Sequence, residues 1–473
     1  MSRLNARIMK VTGLFGGLQV TNILCSIVRT KLVALWIGAA GMGLFGLFNS
    51  ALELIYSISQ LGIRQSAVRD MASASTAQIP RIAWSIRRWS IALGFVGAIL
   101  TLIFSRWLSQ ISFGDSSYQW AFACFSILVF LSAVSQGEGA IFQGLQRFRK
   151  LAVCSMIGAV GGLAISVPMF YFWGIKSIVP SIIAYGVITW LAMGYYRETV
   201  PKPEGGLCVT QTIALGKHFM TLGIYMTITA VVTNVISYGF MAYLNNYADI
   251  AVTGYYNAGF TLINRYVGLV FTAISMEYFP RLAAVSHSKM RTSTFASNQI
   301  YLSLAVIVPV ALTFMALAVP VIHLLYTRDF IVILPFIIWA MVGTVLRAIS
   351  WCMAYVIVSR GDGKIFLATE ILSCAISITL NVLCYNLWGM SGLGYAYLIW
   401  YAAYVAIIAY VYYHRYHLFT NRQLPIYVVY STFITIIGAV LAIFLSPLAL
   451  IPLIVISLFV SFRTLRRHLP HRK

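Results

Sequence analysis

The chain has 473 residues, 60% of them hydrophobic and 9% charged, with a mean hydropathy of +0.86. That composition excludes a soluble globular protein of this length and leaves a polytopic membrane protein. Most of the seven cysteines lie singly in apolar runs without metal-ligand spacing, which excludes a disulfide-stapled secreted domain and a zinc site; no cofactor or metal is expected.

In chain order, the basic start MSRLNARIMK leads into an apolar run with no small-residue cleavage site after it. It predicts an uncleaved first span with a cytoplasmic N-terminus. Hydropathy and breakers predict spans over residues 11–36, 42–68, 86–108, 118–142, 151–173, 177–196, 217–242, 251–279, 299–326, 331–358, 365–387, 391–413, 425–445 and 447–462, about fourteen in all. The last pair is short and split by Ser446-Pro447, so twelve spans plus one re-entrant hairpin is the alternative. The longest connection, residues 197–217, is a Pro/Gly linker and not a domain. No GxxxxGK[ST] motif occurs, so transport would have to draw on an ion gradient, the membrane potential or the substrate's own gradient.

Lys and Arg number 33 against 11 Asp and Glu, a net charge of +22. Their placement explains the excess. Every second connection is basic, from Arg3, Arg7 and Lys10 through Arg69, Arg81, Arg87 and Arg88 to Arg463, Arg466 and Arg467, whereas the alternate ones hold only Arg106, Lys176 and Arg328. That is the positive-inside pattern, with both termini cytoplasmic, and it leaves no charge to be explained by nucleic acid. Five cations, Arg29, Lys31, Arg64, Arg265 and Arg347, fall inside predicted spans.

Two segments repeat. Gly46 to Ser50 (GLFNS) overlays Gly254 to Ala258 (GYYNA), placing Asn49 on Asn257 at an offset of 208, and Trp173-Gly174-Ile175 overlays Trp388-Gly389-Met390 at an offset of 215. An even number of spans per repeat gives both halves one orientation. The predicted fold is therefore all-α and polytopic: two parallel six-helix lobes, residues 1–200 and 217–415, joined by a linker at 201–216. A further helix pair and a basic tail follow over 416–473.

Polar residues recur at helical spacing inside these spans. Span one carries Thr12, Gln19, Asn22, Ser26 and Arg29 on one face, and span two Asn49, Glu53, Ser57, Gln60 and Arg64. Span eight carries Asn257, Thr261, Asn264 and Arg265, and span eleven Glu370, Ser373, Ser377 and Asn381. An ionisable group at the bilayer centre costs about 2.5 to 3.5 kcal/mol on insertion scales, so such faces look into a hydrated cavity or pair with one another. Arg64 and Lys31 also suit snorkelling to an interface, and Glu138 and Glu370 also suit pairing with nearby basic residues. Arg265 and Arg347 lie deeper. The cations outnumber the acids, so an anion is the natural guest, with Arg29, Lys31, Arg64, Arg265 and Arg347 as its ligands. Asn22, Asn49, Asn257 and Asn264 suit hydroxyl-rich groups. Glu53, Glu138 and Glu370 stand as coupling or ion-pair residues, and nothing points to a catalytic site.

The stretch Val28 to Ala72, with Ile37-Gly38, Gly43 to Gly46, Leu61-Gly62 and Arg69 in order, resembles the opening of the Wzx-type polysaccharide transporters of the multidrug/oligosaccharidyl-lipid/polysaccharide exporter superfamily. The likeness runs on through NRYVGLVFTAISMEYFPRLAAVS around Arg265. It implies a flippase, not an enzyme, that moves an undecaprenyl-pyrophosphate-linked oligosaccharide across the bacterial inner membrane by alternating access, for O-antigen or other surface polysaccharide. Its partners would be membrane lipid, a polysaccharide polymerase and glycosyltransferases. VRTKLVALWIGA also resembles lipid II flippases, in which arginines at the places of Arg29 and Arg265 serve the pyrophosphate. Thr30 stands where those proteins carry an acid, and Tyr56 to Ile58 where they carry paired arginines, which points away from lipid II as cargo. The rival readings are a cation-coupled drug exporter of the same superfamily and a polytopic polysaccharide polymerase or ligase.

Overall fold

The computed structural model describes residues 21–60, 67–68, 71, 78–201, 209–420 and 423–468. These form helices only: α1 (21–36), α2 (Gly38–Gln60), α3 (Ile79–Ile103), α4 (Ser105–Phe113), α5 (Gln119–Gly144), α6 (Phe148–Trp173), α7 (Ile178–Tyr195) and α8 (Val209–Tyr247). Then come α9 (Ile250–Thr261), a π-helical segment (Leu262–Val267), α10 (Gly268–Val285), α11 (Lys289–Ala316), α12 (Ala318–Leu325), α13 (Leu334–Ser359), α14 (Gly363–Tyr410), α15 (Gln423–Phe444) and α16 (Ile451–His468). Among the described residues ten helical stretches are long and apolar enough to cross a membrane. Two of them, Phe148–Tyr195 and Gly363–Arg415, run to 48 and 53 residues. At about 1.5 Å per residue each is twice the thickness of a bilayer core and holds two crossings. This is a multi-pass membrane protein.

Both long stretches fold back at a glycine. Gly174 has φ +52° and ψ −128°, and Gly389 has φ +60° and ψ −137°, a region closed to residues with a Cβ. They are the two glycines matched in the sequence repeat, so the likeness between the halves extends from residue type to backbone conformation.

The structure departs from the sequence reading in three places. The third predicted span ends at Ile103 and is followed by α4, a separate short helix. The eighth is broken by the π-helical segment, which falls on Asn264 and Arg265. The C-terminal pair are independent helices, each of which meets the length and composition of a membrane span, so the re-entrant hairpin is set aside.

The chain clusters into two compact units, Met1–Gly254 and Tyr255–Lys473. In the first, α3 and α5 pack through small residues: a Cβ added at Gly137 would lie 2.2 Å from Ser90 Oγ, and one at Gly94 would lie 3.1 Å from Ala133 Cβ. Close backbone approach of this kind is how apolar helices associate without a hydrophobic driving force. Phe48 of α2 seats edge-on among Tyr118, Phe122 and Phe125, with centroids 5.4–5.8 Å away. α8 belongs to this unit because its polar residues satisfy backbone groups there. Asn245 and Asn246 donate to the carbonyls of Ser112 and Ile111, each at 2.7 Å, and Asn234 donates to that of Glu53 at 3.2 Å. A backbone-to-backbone crossing lies beside them. A Cβ on Gly43 would come within 2.0 Å of the Ile250 carbonyl oxygen, and one on Gly254 within 2.0 Å of the Ala39 oxygen.

The second unit centres on α13, buried along most of its length between α11 and α14. Tyr278 of α10 is fully buried and donates to the Cys352 carbonyl at 2.8 Å. α15 packs on α11 and α13, and α16 on α11.

Gly174→Ala and Gly389→Ala should each cost about 1–3 kcal/mol through backbone strain. Gly194→Ala, in a helix and with nothing within 4 Å of the added Cβ, should be neutral or stabilising. Thermal unfolding of the three variants in detergent checks the ranking.

Candidate functional site

The second unit holds a deep cation. Arg347 lies 13 residues into α13, about 20 Å along a helix whose neighbours are almost all apolar. Its Nη1 donates to Asn264 Oδ1 at 2.7 Å and to the Tyr397 hydroxyl at 3.2 Å. The guanidinium plane lies 5.0 Å from the Phe271 ring and 5.8 Å from the Tyr401 ring. Three elements build this cage: the π-helical segment supplies Asn264, α10 supplies Phe271, and the second arm of α14 supplies Tyr397 and Tyr401. π segments recur at functional sites because they turn side chains out of α register. Among the described residues no carboxylate pairs with Arg347, and its Nε and Nη2 make no hydrogen bond. The cage supports the charge with ring faces and neutral dipoles and leaves two nitrogens of the planar fork, Nε and Nη2, unused.

The same arm of α14 continues the polar face. Tyr404 donates a short hydrogen bond to Glu370 Oε1, and Trp400 Nε1 donates to Ser373 Oγ at 2.9 Å. Further along the first arm Asn381 donates to Ser377 Oγ at 3.3 Å. Glu370 is therefore held by a tyrosine, and no cation pairs with it among the described residues.

The first unit holds its charges differently. Glu138 of α5 is 5% exposed and takes Arg87 of α3 in a bidentate pair, Nε to Oε1 at 2.7 Å and Nη2 to Oε2 at 3.0 Å. Arg197 adds a third contact at 2.9 Å. The same Arg87 Nη2 donates to the Glu198 carbonyl at 2.9 Å, while the Glu198 side chain receives Lys150 at 3.1 Å and Arg147 at 3.4 Å. Around it α3 holds the linker at two points: Trp84 Nε1 donates to the Pro201 carbonyl at 3.1 Å, and Trp89 Nε1 to that of Thr212 at 2.8 Å.

Of the other sequence candidates, Arg29 of α1 stacks over Tyr185 of α7 at 5.1 Å. Asn22 and Lys31 share α1 with it and are half-buried. Asn49 of α2 bonds its own helix, donating to the Phe45 carbonyl at 2.6 Å, and Glu53 of the same helix is exposed. Asn257 of α9 is half-buried. Arg64 lies outside the described residues, as does the side chain of Arg265, whose backbone is in the π-helical segment. Within the units, then, Asn264 and Arg347 come together, and Glu138 meets Arg87 and Arg197. The sequence reading passed over the cage tyrosines. Tyr397, Tyr401 and Tyr404 are spaced by four and three, one face of a helix, and that spacing was the available signal.

With this geometry in hand, comparison with known proteins is informative. The model of the family described as polysaccharide biosynthesis protein matches residues 33–335. The chain belongs to that family. No curated protein matches it in sequence. Among solved structures it is similar to the lipid II flippase MurJ in an inward closed conformation, with 14% identity, 98% of this chain and 99% of that one covered, and a TM-score of 0.67. It is also similar to a multidrug resistance MATE family transporter of the MOP superfamily in an inward-facing conformation, at 12% identity, 82% and 92% coverage and a TM-score of 0.66. A MOP superfamily transporter from Pyrococcus furiosus, described by the reverse polarity of its binding pocket, matches at 14% identity, 88% and 96% coverage and a TM-score of 0.57. At these identities what is shared is the fold.

Removing Glu138 alone should leave Arg87 charged and without its carboxylate, at a cost of about 3–5 kcal/mol. Glu138→Ala is thus expected to lower folded yield and melting temperature sharply, whereas Arg87→Met with Glu138→Leu recovers most of the loss; a double-mutant cycle on unfolding reads the difference.

Proposed function

We propose that this protein is a flippase that carries an undecaprenyl-pyrophosphate-linked oligosaccharide across the bacterial inner membrane for surface polysaccharide such as O-antigen. The observation that carries the reading is the Arg347 cage: an intramembrane cation with no acid paired to it among the described residues and two of its nitrogens unused, in a chain of the polysaccharide biosynthesis family. Such a group suits the charge of a pyrophosphate, which a planar fork binds bidentately. A cationic drug would ask for the opposite polarity.

In this reading Arg347 and Arg265, with Arg29, Lys31 and Arg64, attract the pyrophosphate, and Asn22, Asn49, Asn257 and Asn264 serve the glycan hydroxyls. The six-helix lobes at 1–200 and 217–415 alternate access across the linker at 201–216, with both termini cytoplasmic. Glu53 and Glu370 serve coupling, while Glu138 keeps the first lobe intact. The protein works as a transporter without catalytic chemistry, supplied by glycosyltransferases and followed by a polymerase.

Deletion of the gene in its source bacterium, followed by extraction of undecaprenyl-linked intermediates, tests this directly. Finished repeat units confined to the inner leaflet are expected, and normal intermediates with normal surface glycan would overturn the proposal. In the complemented strain Arg347→Ala should lower transport by about tenfold to a hundredfold at normal protein level, the worth of one to two charge-assisted hydrogen bonds. Unchanged surface glycan in that variant would remove Arg347 from the site.

A further inference from the structure

The face of α14 opposite to the cage carries a separate feature. Its two arms, folded at Gly389, leave a groove of about 540 Å³ between them, walled by Ile365, Ala368, Thr369 and Leu372 on one side and Ala406, Ile407, Tyr410 and Val411 on the other. These residues are almost wholly apolar, and Ala368, Leu372, Ala406 and Tyr410 are exposed. The buried side chains of the same arms, Ser373, Ser377, Tyr397, Tyr401 and Tyr404, point the other way. The groove is therefore not continuous with Arg347; it opens on the exposed apolar surface of the hairpin.

One end of the groove is strongly basic. The start of α14 and its end are held side by side by Tyr416, whose hydroxyl donates to Asp362 Oδ2 at 2.6 Å. Arg360 lies over the Tyr416 ring at 4.8 Å, and its Nε is buried without a hydrogen-bond partner. Lys364, one residue before the groove wall, and Arg415, four residues past it, are exposed. No ion pair among the described residues involves any of these three cations. The rim holds one carboxylate, Asp362, bonded by the tyrosine, against these three cations. An apolar trough that ends at three cations, gathered from both ends of the hairpin, has the chemistry of an anionic lipid site.

We propose that this groove holds one acyl chain of an anionic bilayer phospholipid, with its phosphate on the rim formed by Arg360, Lys364 and Arg415. The occupant is bulk lipid, since the trough faces away from the cage and offers a glycan little but the Tyr410 hydroxyl, the hydroxyl of Thr369 being taken by the Phe366 carbonyl. A phospholipid seated there ties the two ends of the hairpin to the headgroup layer.

The full-length protein, purified and reconstituted in nanodiscs of phosphatidylglycerol with phosphatidylcholine, is released into mild detergent, and the lipids that remain bound are counted by native mass spectrometry. Wild type should retain phosphatidylglycerol in preference. Lys364→Ala with Arg415→Ala should lower that retention by about fivefold per cation, leaving phosphatidylcholine unchanged. Ala406→Trp, at an exposed position, should fill the trough and displace the lipid without altering thermal unfolding. Equal retention of the two lipids, or retention unmoved by both variants, overturns the proposal. So does selective displacement of phosphatidylglycerol by undecaprenyl pyrophosphate, which would make the groove part of the cargo path.

Discussion

A charge buried among apolar helices has to be neutralised, solvated or caged, and this molecule uses two of those solutions in its two units. Arg87 meets Glu138 in a bidentate pair, reinforced by Arg197, so its electrostatic demand is closed by the protein itself. Arg347 meets only an amide oxygen, a phenol and two rings. The first arrangement is complete without any visitor. The second holds a cation in place while leaving its charge unanswered, which is the electrostatic condition for receiving an anion.

The closed pair has a second effect. Because Arg87 is fixed by Glu138, its remaining donor direction is fixed as well, and it falls on the Glu198 carbonyl. The indoles of Trp84 and Trp89 take the carbonyls of Pro201 and Thr212, so the early turns of α3 grip the linker at two points. A Pro/Gly segment is thus anchored to the unit along its own length.

Much of this was legible in the sequence, for identifiable reasons. Apolar runs of about twenty residues can only be helices in lipid, so most of the helices followed from length. The Trp-Gly match at Gly174 and Gly389 pointed to a repeat, and both glycines adopt the same forbidden-to-alanine conformation. What could not be read was pairing across sequence distance. Glu138 was visible as an acid near basic residues, but that its partner is Arg87, 51 positions earlier, is a property of how α3 packs on α5. Arg347 was singled out by depth, whereas its cage was hidden because tyrosines in a membrane protein are ordinarily ascribed to the interfacial belts. The π-helical segment left no mark at all, since the departure from α register lies in the backbone hydrogen bonds and not in residue type.

The meeting of Gly43 with Ile250 and Gly254 is a contact between backbones with no side chain interposed. Nothing there can be trimmed. An alanine or cysteine scan, the usual way of finding where helices press together, subtracts atoms at most sites but at these two can only add them. Each such replacement acts as a wedge between α2 and the start of α9, and its phenotype would report forced separation instead of a lost interaction. A tool that ordinarily measures what a residue contributes would at this crossing measure what the gap between two helices will tolerate.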